Sequence, residues 1–315
     1  MTKIAFLFPG QGAQSVGMGV DLLNSYPQLK ERYFNKADEL LGISLSNLMT
    51  NGPQEELTLT YHAQPALLTV SAMITELLNE NGIQANYTAG HSLGEYSALV
   101  ASGVMSFEDA VTAVHKRGLY MNDAVPAGEG AMAAILGLES EALKNVTDEI
   151  SSGGDLVQLA NLNCPGQIVI SGTKAGVEKA CEAAKNAGAK RAIPLVVSGP
   201  FHSELMRPAS GRLDDVLSSI DMQNATVPVI SNVTAEPVVS AKEIKPLLVE
   251  QLYSPVLWED TVRKLIDLGV DTFIEAGPGK VLSGLVKKVD RAAKIYPVYD
   301  METLNAVIET SKEWD

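Results

Sequence analysis

The chain is poor in the residues from which disulfide frameworks and metal centres are built. It has two cysteines, Cys164 and Cys181, with neither a CxxC nor a metal-ligand spacing. Both read as free thiols, which excludes a disulfide-stapled secreted domain. Four histidines, His62, His91, His115 and His202, are scattered and form no His/Cys cluster, so no zinc site is expected. Positive charge is also scarce. Lys and Arg number 24 against 38 Asp and Glu, a formal net charge of −14. That balance argues against a nucleic-acid partner and against an anionic membrane surface. No apolar run approaches the ~20 residues that cross a bilayer. No basic, signal-like segment precedes the first strand, Ile4–Phe8, so a cytoplasmic protein is expected. No internal repeat or low-complexity segment is found.

What is present is enough for a large core. The 315 residues suggest about two domains, with 46% hydrophobic and 20% charged residues. The stretch Gly90-His91-Ser92-Leu93-Gly94 stands out. A short strand-like segment precedes it, and Glu95–Ser102 reads as a helix. Strand, tight turn and helix around Gly-x-Ser-x-Gly is the context of a nucleophile elbow, which aims the serine hydroxyl over a helix N-terminus. The pentapeptide alone fits a helix N-cap serine equally well.

Strand Ile4–Phe8 runs into Pro9-Gly10-Gln11-Gly12. The loop imitates a dinucleotide fingerprint, but Ser15 stands at the third glycine position and the segment from Pro27 to Leu41 reads as helix rather than a second strand. Gln11 is therefore placed at the C-terminal edge of the first strand, where doubly wound sheets bind ligands. Helical periodicity covers Gln64–Asn79 and, behind a Ser106 cap, Phe107–Met121. Arg117 falls on the apolar face of the second helix, with Val114 and Met121, and must snorkel or pair with an anion there. His115 and Lys116 point away and read as solvated.

From about residue 128 the rhythm changes to β-α-β-β-α-β: Ala131–Leu136, Ser140–Ile150, Leu156–Leu162, Gln167–Ser171, Gly176–Asn186, Arg191–Val197. This is the split-βαβ, ferredoxin-like order, and it predicts a small inserted domain at 128–197. The flanking segments, 1–127 and 198–315, alternate strands and helices and predict one parallel α/β sheet built from both ends of the chain. The fold class expected is α/β, with an α/β-hydrolase-like large domain. Gly277-Pro278-Gly279-Lys280 lacks the spacing of a phosphate loop.

A serine hydroxyl needs a base. His202 is the candidate, at a Gly199-Pro200-Phe201-His202 turn before a helix. His91 reads as structural. No acid claims the third position: Glu204 and Asp214 both follow on the helix, and a backbone carbonyl could orient the imidazole equally well.

Together, Phe8-Pro9-Gly10-Gln11-Gly12, Gly90-His91-Ser92-Leu93-Gly94-Glu95-Tyr96, Arg117, Gly199-Pro200-Phe201-His202 and Glu275-Ala276-Gly277-Pro278 make the chain resemble, over essentially its whole length, the malonyl-CoA:acyl-carrier-protein transacylases of fatty acid synthesis and the acyltransferase domains of polyketide synthases. The resemblance implies Ser92 as nucleophile, His202 as its partner, and backbone N–H groups of Gln11 and Leu93 as the oxyanion site. It implies that a main-chain carbonyl near Gln251 orients the histidine and that Arg117 binds the malonyl carboxylate. Asn163 would line the cleft between domains. Phe201 and Met121 join the substrate-binding set, Phe201 disfavouring α-substituted acyl groups. The implied reaction is ping-pong transfer from malonyl-CoA to acyl carrier protein by a monomer, with no cofactor. A serine esterase or thioesterase is the alternative, and it has no use for an arginine facing the acyl group. Lys190-Arg191 or Lys287, Lys288 and Arg291 are candidate docking patches for an acidic carrier protein.

Overall fold

The computed structural model describes residues 2–314. Two sheets organise it. The larger has six strands, β1 (Ile4–Phe8), β2 (Tyr87–Gly90), β7 (Val229–Ile230), β8 (Pro237–Val238), β9 (Thr272–Ala276) and β10 (Lys294–Val298), in the order β10-β9-β1-β2-β7-β8. The smaller holds β3 (Gly130–Leu136), β4 (Val157–Cys164), β5 (Gln167–Thr173) and β6 (Arg191–Pro194), in the order β4-β5-β3-β6.

Strand β1 is central and wholly buried. Its alternate residues feed two cores. Ile4, Phe6 and Phe8 enter the larger core, while Ala5 and Leu7 enter a second one with Trp258 and Phe273. Burial on both faces is why β1 reads as a continuous apolar run rather than an alternating one. Strands β10, β9, β1, β2 and β7 are parallel in register. Strand β8 is not: it pairs antiparallel with β7, so the sheet departs from the uniformly parallel one expected. Two residues at an edge, beginning with Pro237, are too short for any periodicity to show.

Helices cover both faces of the large sheet. Short ones, α1 (Val20–Ser25), α2 (Lys36–Leu41), α3 (Leu45–Asn51) and α4 (Gln54–Thr58), fill the first crossover, and the helix expected from Pro27 begins with a π-helical segment, Lys30–Asn35. The long α5 (Thr60–Glu80) packs against α6 (Leu93–Ala101) and α7 (Phe107–Asp123). Pro65 sits inside α5 and cannot bond the carbonyl of Tyr61 one turn back. His115 Nδ1 donates to that carbonyl at 2.8 Å. His115 is thus half-buried and engaged, not solvated as its sequence position suggests. The seam is tight beside it: a Cβ at Gly118 would lie 2.5 Å from Tyr61 Cα.

In the smaller unit, α8 (Ser140–Ser152) and α9 (Lys174–Asn186) contribute Leu143, Val177, Ala180 and Ala184 to a separate core with Ile135 and Ile170. Strand β6 stops at Pro194, three residues short of the expected end, and Leu195–Val197 run exposed. Two main-chain bonds, Leu162 N–H to Val256 O and Val256 N–H to Ala160 O, tie β4 to the segment before α12. The C-terminal part supplies α10 (Arg207–Ser218), preceded by a 3₁₀ turn at Glu204–Met206, then α11 (Ala241–Gln251), α12 (Trp258–Asp267), α13 (Val281–Val289) and α14 (Met301–Ser311). No described helix is long and apolar enough to cross a membrane.

Candidate active site

Between β2 and α6 the chain turns through Ser92 at φ 52° and ψ −106°. A non-glycine residue in that region is strained, and the surroundings hold it there. Ser92 N–H donates to Asn232 Oδ1 at 2.7 Å, and Asn232 Nδ2 donates back to Gly90 O at 2.7 Å. Both flanking glycines are obligatory for a different reason, the closeness of backbone to backbone. A Cβ at Gly90 would lie 1.9 Å from the Gly94 carbonyl, and one at Gly94 would lie 2.0 Å from Phe8 O.

The turn presents Ser92 Oγ to His202 Nε2 at 2.7 Å. His202 also has a positive φ, 57°, and is buried. Its Nδ1–H donates to the main-chain oxygen of Gln251 at 2.8 Å, so Nε2 is the free acceptor facing the serine. No acid serves: Glu204 pairs with Arg207 and Asp214 with Lys245, both at the surface. Burial, reinforced by the Arg117 charge, pushes the His202 pKa down to about 3. A neutral imidazole beside a hydroxyl is the protonation state that a general base requires.

Arg117 is 1% exposed and does not snorkel. NH1 donates to Gln64 Oε1 at 2.6 Å, and NH2 to Gln251 Oε1 at 2.9 Å and Ser92 Oγ at 3.1 Å. Its Nε–H has no acceptor among the described residues. All three acceptors are neutral, so a buried cation stands beside the Ser92 hydroxyl without a carboxylate in contact. The carboxylate whose charge acts on it is Glu95 on α6, whose Oε2 accepts from Gln251 Nε2 at 2.7 Å and from Asn232 N–H at 3.2 Å.

Ser92, His202, Arg117 and Gln64 line one cavity of about 330 Å³ between the two sheets, while Glu95, Asn232 and Gln251 lie outside its wall. Gln11, Leu93, Met121 and Phe201 belong to its wall, with Met132, Asn161 and Leu195–Val197 from the smaller unit. The backbone N–H groups of Gln11 and Leu93 donate to no other group among the described residues. Asn163 is not on the wall. Its Oδ1 lies 2.8 Å from Nε2 of His91, which does line the cavity, and Asn161, two residues earlier on the strand, faces the cavity directly. Sequence reasoning missed Gln64, Glu95, Asn232 and the side chain of Gln251. A glutamine on the apolar face of α5, and an acid three residues past the serine, were the available signals.

Of the two candidate basic patches, Lys190 and Arg191 are exposed at the start of β6, Lys190 just before it and Arg191 its first residue. Lys288 is bonded to Gln167, Lys287 to the carbonyl of Arg291, and Arg291 itself lies beyond the end of α13.

Residues 5–307 match the family described as the acyl transferase domain. The chain is 63% identical over 313 residues to the malonyl CoA-acyl carrier protein transacylase of Bacillus subtilis, covering 99% of this chain and 98% of that protein. It is 46% identical to the Haemophilus influenzae protein of the same name, covering 98% and 99%. Among solved structures it is similar to a malonyl-transacylase in complex with a type II polyketide synthase acyl-carrier protein, with TM-score 0.95, 43% identity, and 98% and 100% of the two chains covered.

Proposed function

The chain belongs to the acyl transferase family, and from that premise we propose that it transfers malonyl from coenzyme A to the phosphopantetheine thiol of acyl carrier protein. The observation that carries this reading is Arg117, a buried guanidinium with only neutral partners, in hydrogen-bond contact with the hydroxyl that would carry the acyl group. A malonyl carboxylate supplies the anion that its direct contacts lack. A thioesterase acting on neutral acyl groups would leave that guanidinium without a carboxylate in direct contact.

The geometry supports a ping-pong mechanism. His202 Nε2 takes the Ser92 proton as Oγ attacks the thioester carbonyl. The oxyanion falls to the unengaged N–H groups of Gln11 and Leu93, each donor worth about 3–4 kcal/mol. The imidazolium, held by the Gln251 carbonyl, returns its proton to the departing sulfur, and coenzyme A leaves as the thiol. The carrier thiol then gives its proton to His202 and attacks the malonyl ester, and Ser92 is regenerated as the hydroxyl. Met121 and Phe201 form the apolar wall against the acyl methylene.

Two finer readings go with it. The segment 128–197 is a ferredoxin-like domain, supported by its β-α-β-β-α-β order and the antiparallel order β4-β5-β3-β6. Segments 1–127 and 198–315 make an α/β-hydrolase-like domain, supported by the elbow after β2 of a mostly parallel sheet. A coenzyme A thioester as substrate fits a cytoplasmic enzyme.

The test is incubation with malonyl-CoA, without and with carrier protein. A malonyl adduct on Ser92, located by peptide mass, should form in the first case and discharge to the carrier in the second. Ser92→Ala should abolish both. An adduct mapped to another residue, or free malonate as the main product, rejects the mechanism.

A further inference from the structure

Arg117 and Glu95 are both buried, are opposite in charge, and are not in contact. A single amide stands between them. Gln251 Oε1 accepts from Arg117 NH2 at 2.9 Å, and Gln251 Nε2 donates to Glu95 Oε2 at 2.7 Å. A guanidinium only donates and an ionised carboxylate only accepts, so the amide orientation is fixed by its two neighbours. Nε2 also donates to Ser92 O at 3.0 Å, and the main-chain oxygen of the same Gln251 holds His202. One residue therefore connects the acid, the arginine, the nucleophile and the base.

The geometry points to Glu95 as a positioning residue for acyl recognition: through Gln251 it is the resident counter-anion of Arg117, and the substrate carboxylate displaces it from that role. This rests on the reading of Arg117 as the malonyl-binding residue. The charge arithmetic of the pocket then changes with its occupant. Empty, the site holds one buried cation and one buried anion linked through an amide. With malonyl bound it holds one cation and two carboxylates in low dielectric, where like charges raise each other's proton affinity. Glu95 answers by taking a proton.

The ionisable groups around Glu95 are few. Arg117 comes from α7 and Tyr96 from its own helix, while α11, the Asn232 loop and α5 offer only the amides of Gln251, Asn232 and Gln64. His202 and His91 complete the set around the serine, and both are held neutral by burial. Burial already pushes the Glu95 carboxyl up to about 7, against the opposing pull of its hydrogen bonds and of Arg117. A second carboxylate on Arg117 pushes it further in the same direction. Malonyl binding is therefore linked to proton uptake, and acetyl binding is not. The acylation step itself is proton-neutral, because the serine proton leaves on the departing thiol.

Malonyl-pantetheine, which lacks the titrating phosphates of coenzyme A, is the probe. For the unmodified enzyme its KM should be flat below pH 7 and rise toward a limit of about tenfold per pH unit above it. The kcat at saturation should not follow that slope. Glu95→Gln keeps an acceptor for Gln251 and Asn232 and removes the charge, so its malonyl KM should be low and flat from pH 6 to pH 9. Rapid malonylation of the unmodified enzyme in weak buffer with a pH indicator should take up close to one proton per serine at pH 8, and acetylation should take up none. A flat malonyl KM in the unmodified enzyme, a slope retained in Glu95→Gln, or malonylation without proton uptake overturns the role of Glu95 while leaving the transferase reading intact. A chain that forms no malonyl-serine at all overturns both. Because proton uptake is read on the unmodified chain, the test stands even if Glu95→Gln fails to fold.

Discussion

On the proposed function, Arg117 carries the choice of substrate. Its substitution by alanine should cut kcat/KM for malonyl-CoA by about 10²-fold or more, the scale of removing one partner of a buried hydrogen-bonded charge pair. Acetyl-CoA, with no carboxylate to lose, should be affected far less, so the ratio of the two efficiencies is the measurement. An unchanged ratio removes the carboxylate argument. Arg117→Lys should not restore the ratio, because an ammonium cannot reproduce the planar fork. Phe201 on the cavity wall leaves little room for an α-methyl group, which puts methylmalonyl between malonyl and acetyl. His202→Ala should lower transfer by about 10²–10⁴-fold with the fold retained. Its titration also has a sign. The folded pKa, about 3, lies below the ordinary 6.5, so the unfolded chain binds more protons between those values. Stability therefore falls as pH drops from 6.5 toward 3. Glu95 works in the opposite direction. Its folded pKa, about 7, lies above 4.5, so stability falls as pH rises from 4.5 to 7. Between 4.5 and 6.5 the two slopes offset each other. Thermal melts of His202→Gln should therefore lose the acid-side decline, and those of Glu95→Gln the decline toward neutrality. Ser92, His202 and Arg117 were legible in the sequence because each breaks a local pattern: a serine between glycines, a histidine after Gly-Pro-Phe, a cation on an apolar face. Gln64 and Glu95 offered weaker signals, a glutamine on an apolar face and an acid after the serine, and Asn232 offered none. Their roles exist only through neighbours far along the chain, at separations such as the 156 residues between Glu95 and Gln251.

The elements follow the same division. Strands β1 and β9 are buried runs of five, and such runs show in composition alone. Helices α5 and α7 show in their periodicity. The elements that were not legible are those set by contacts rather than by pattern: the two-residue β8, the π-helical turn before α2, and the early end of β6. The α5–α7 seam illustrates how contact and site are joined. Gly118 lies next to Arg117 in sequence and against the Tyr61 backbone in space. Gly118→Ala should force the helices apart, because a Cβ 2.5 Å from a backbone carbon has no flexible side chain to displace. The expected result is a lower Tm together with a raised KM for malonyl-CoA, since Gln64 on α5 holds Arg117 on α7. His115→Ala breaks the same seam differently. It leaves the Tyr61 carbonyl without its donor, at a cost of about 1–3 kcal/mol. Its effect should be on stability with KM unchanged, because His115 does not touch the cavity. If Gly118→Ala lowers Tm and leaves malonyl KM alone, the seam does not position the arginine.

At the scale of the whole molecule the problem is charge. A chain at −14 has to meet an acidic carrier protein, and long-range repulsion has to be overcome locally. The structure separates the two candidate patches that the sequence left equal. Lys287 and Lys288 are each spent on a neighbouring acceptor. Lys190 and Arg191 make no side-chain hydrogen bond or ion pair among the described residues, and they stand at the start of the edge strand β6 (Arg191 its first residue), whose continuation, Leu195–Val197, lines the cavity. From Arg191 to Leu195 is four residues of extended chain, roughly 13 Å. A carrier protein held at Lys190 and Arg191 therefore stands off from the rim by a distance that its thiol arm is built to bridge. Ile193, Leu195 and Val196 are exposed along the way and offer that arm an apolar track. Reversing both charges, Lys190→Glu with Arg191→Glu, should raise the apparent KM for carrier protein. Malonyl-serine formation from malonyl-pantetheine, which needs no carrier, should proceed unchanged. The same reversal at Lys287 and Lys288 should do neither. Equal effects from both pairs would mean that net charge alone governs the encounter. No effect from the first pair would move the docking surface elsewhere, and in either case the half-reaction with malonyl-pantetheine separates docking from chemistry.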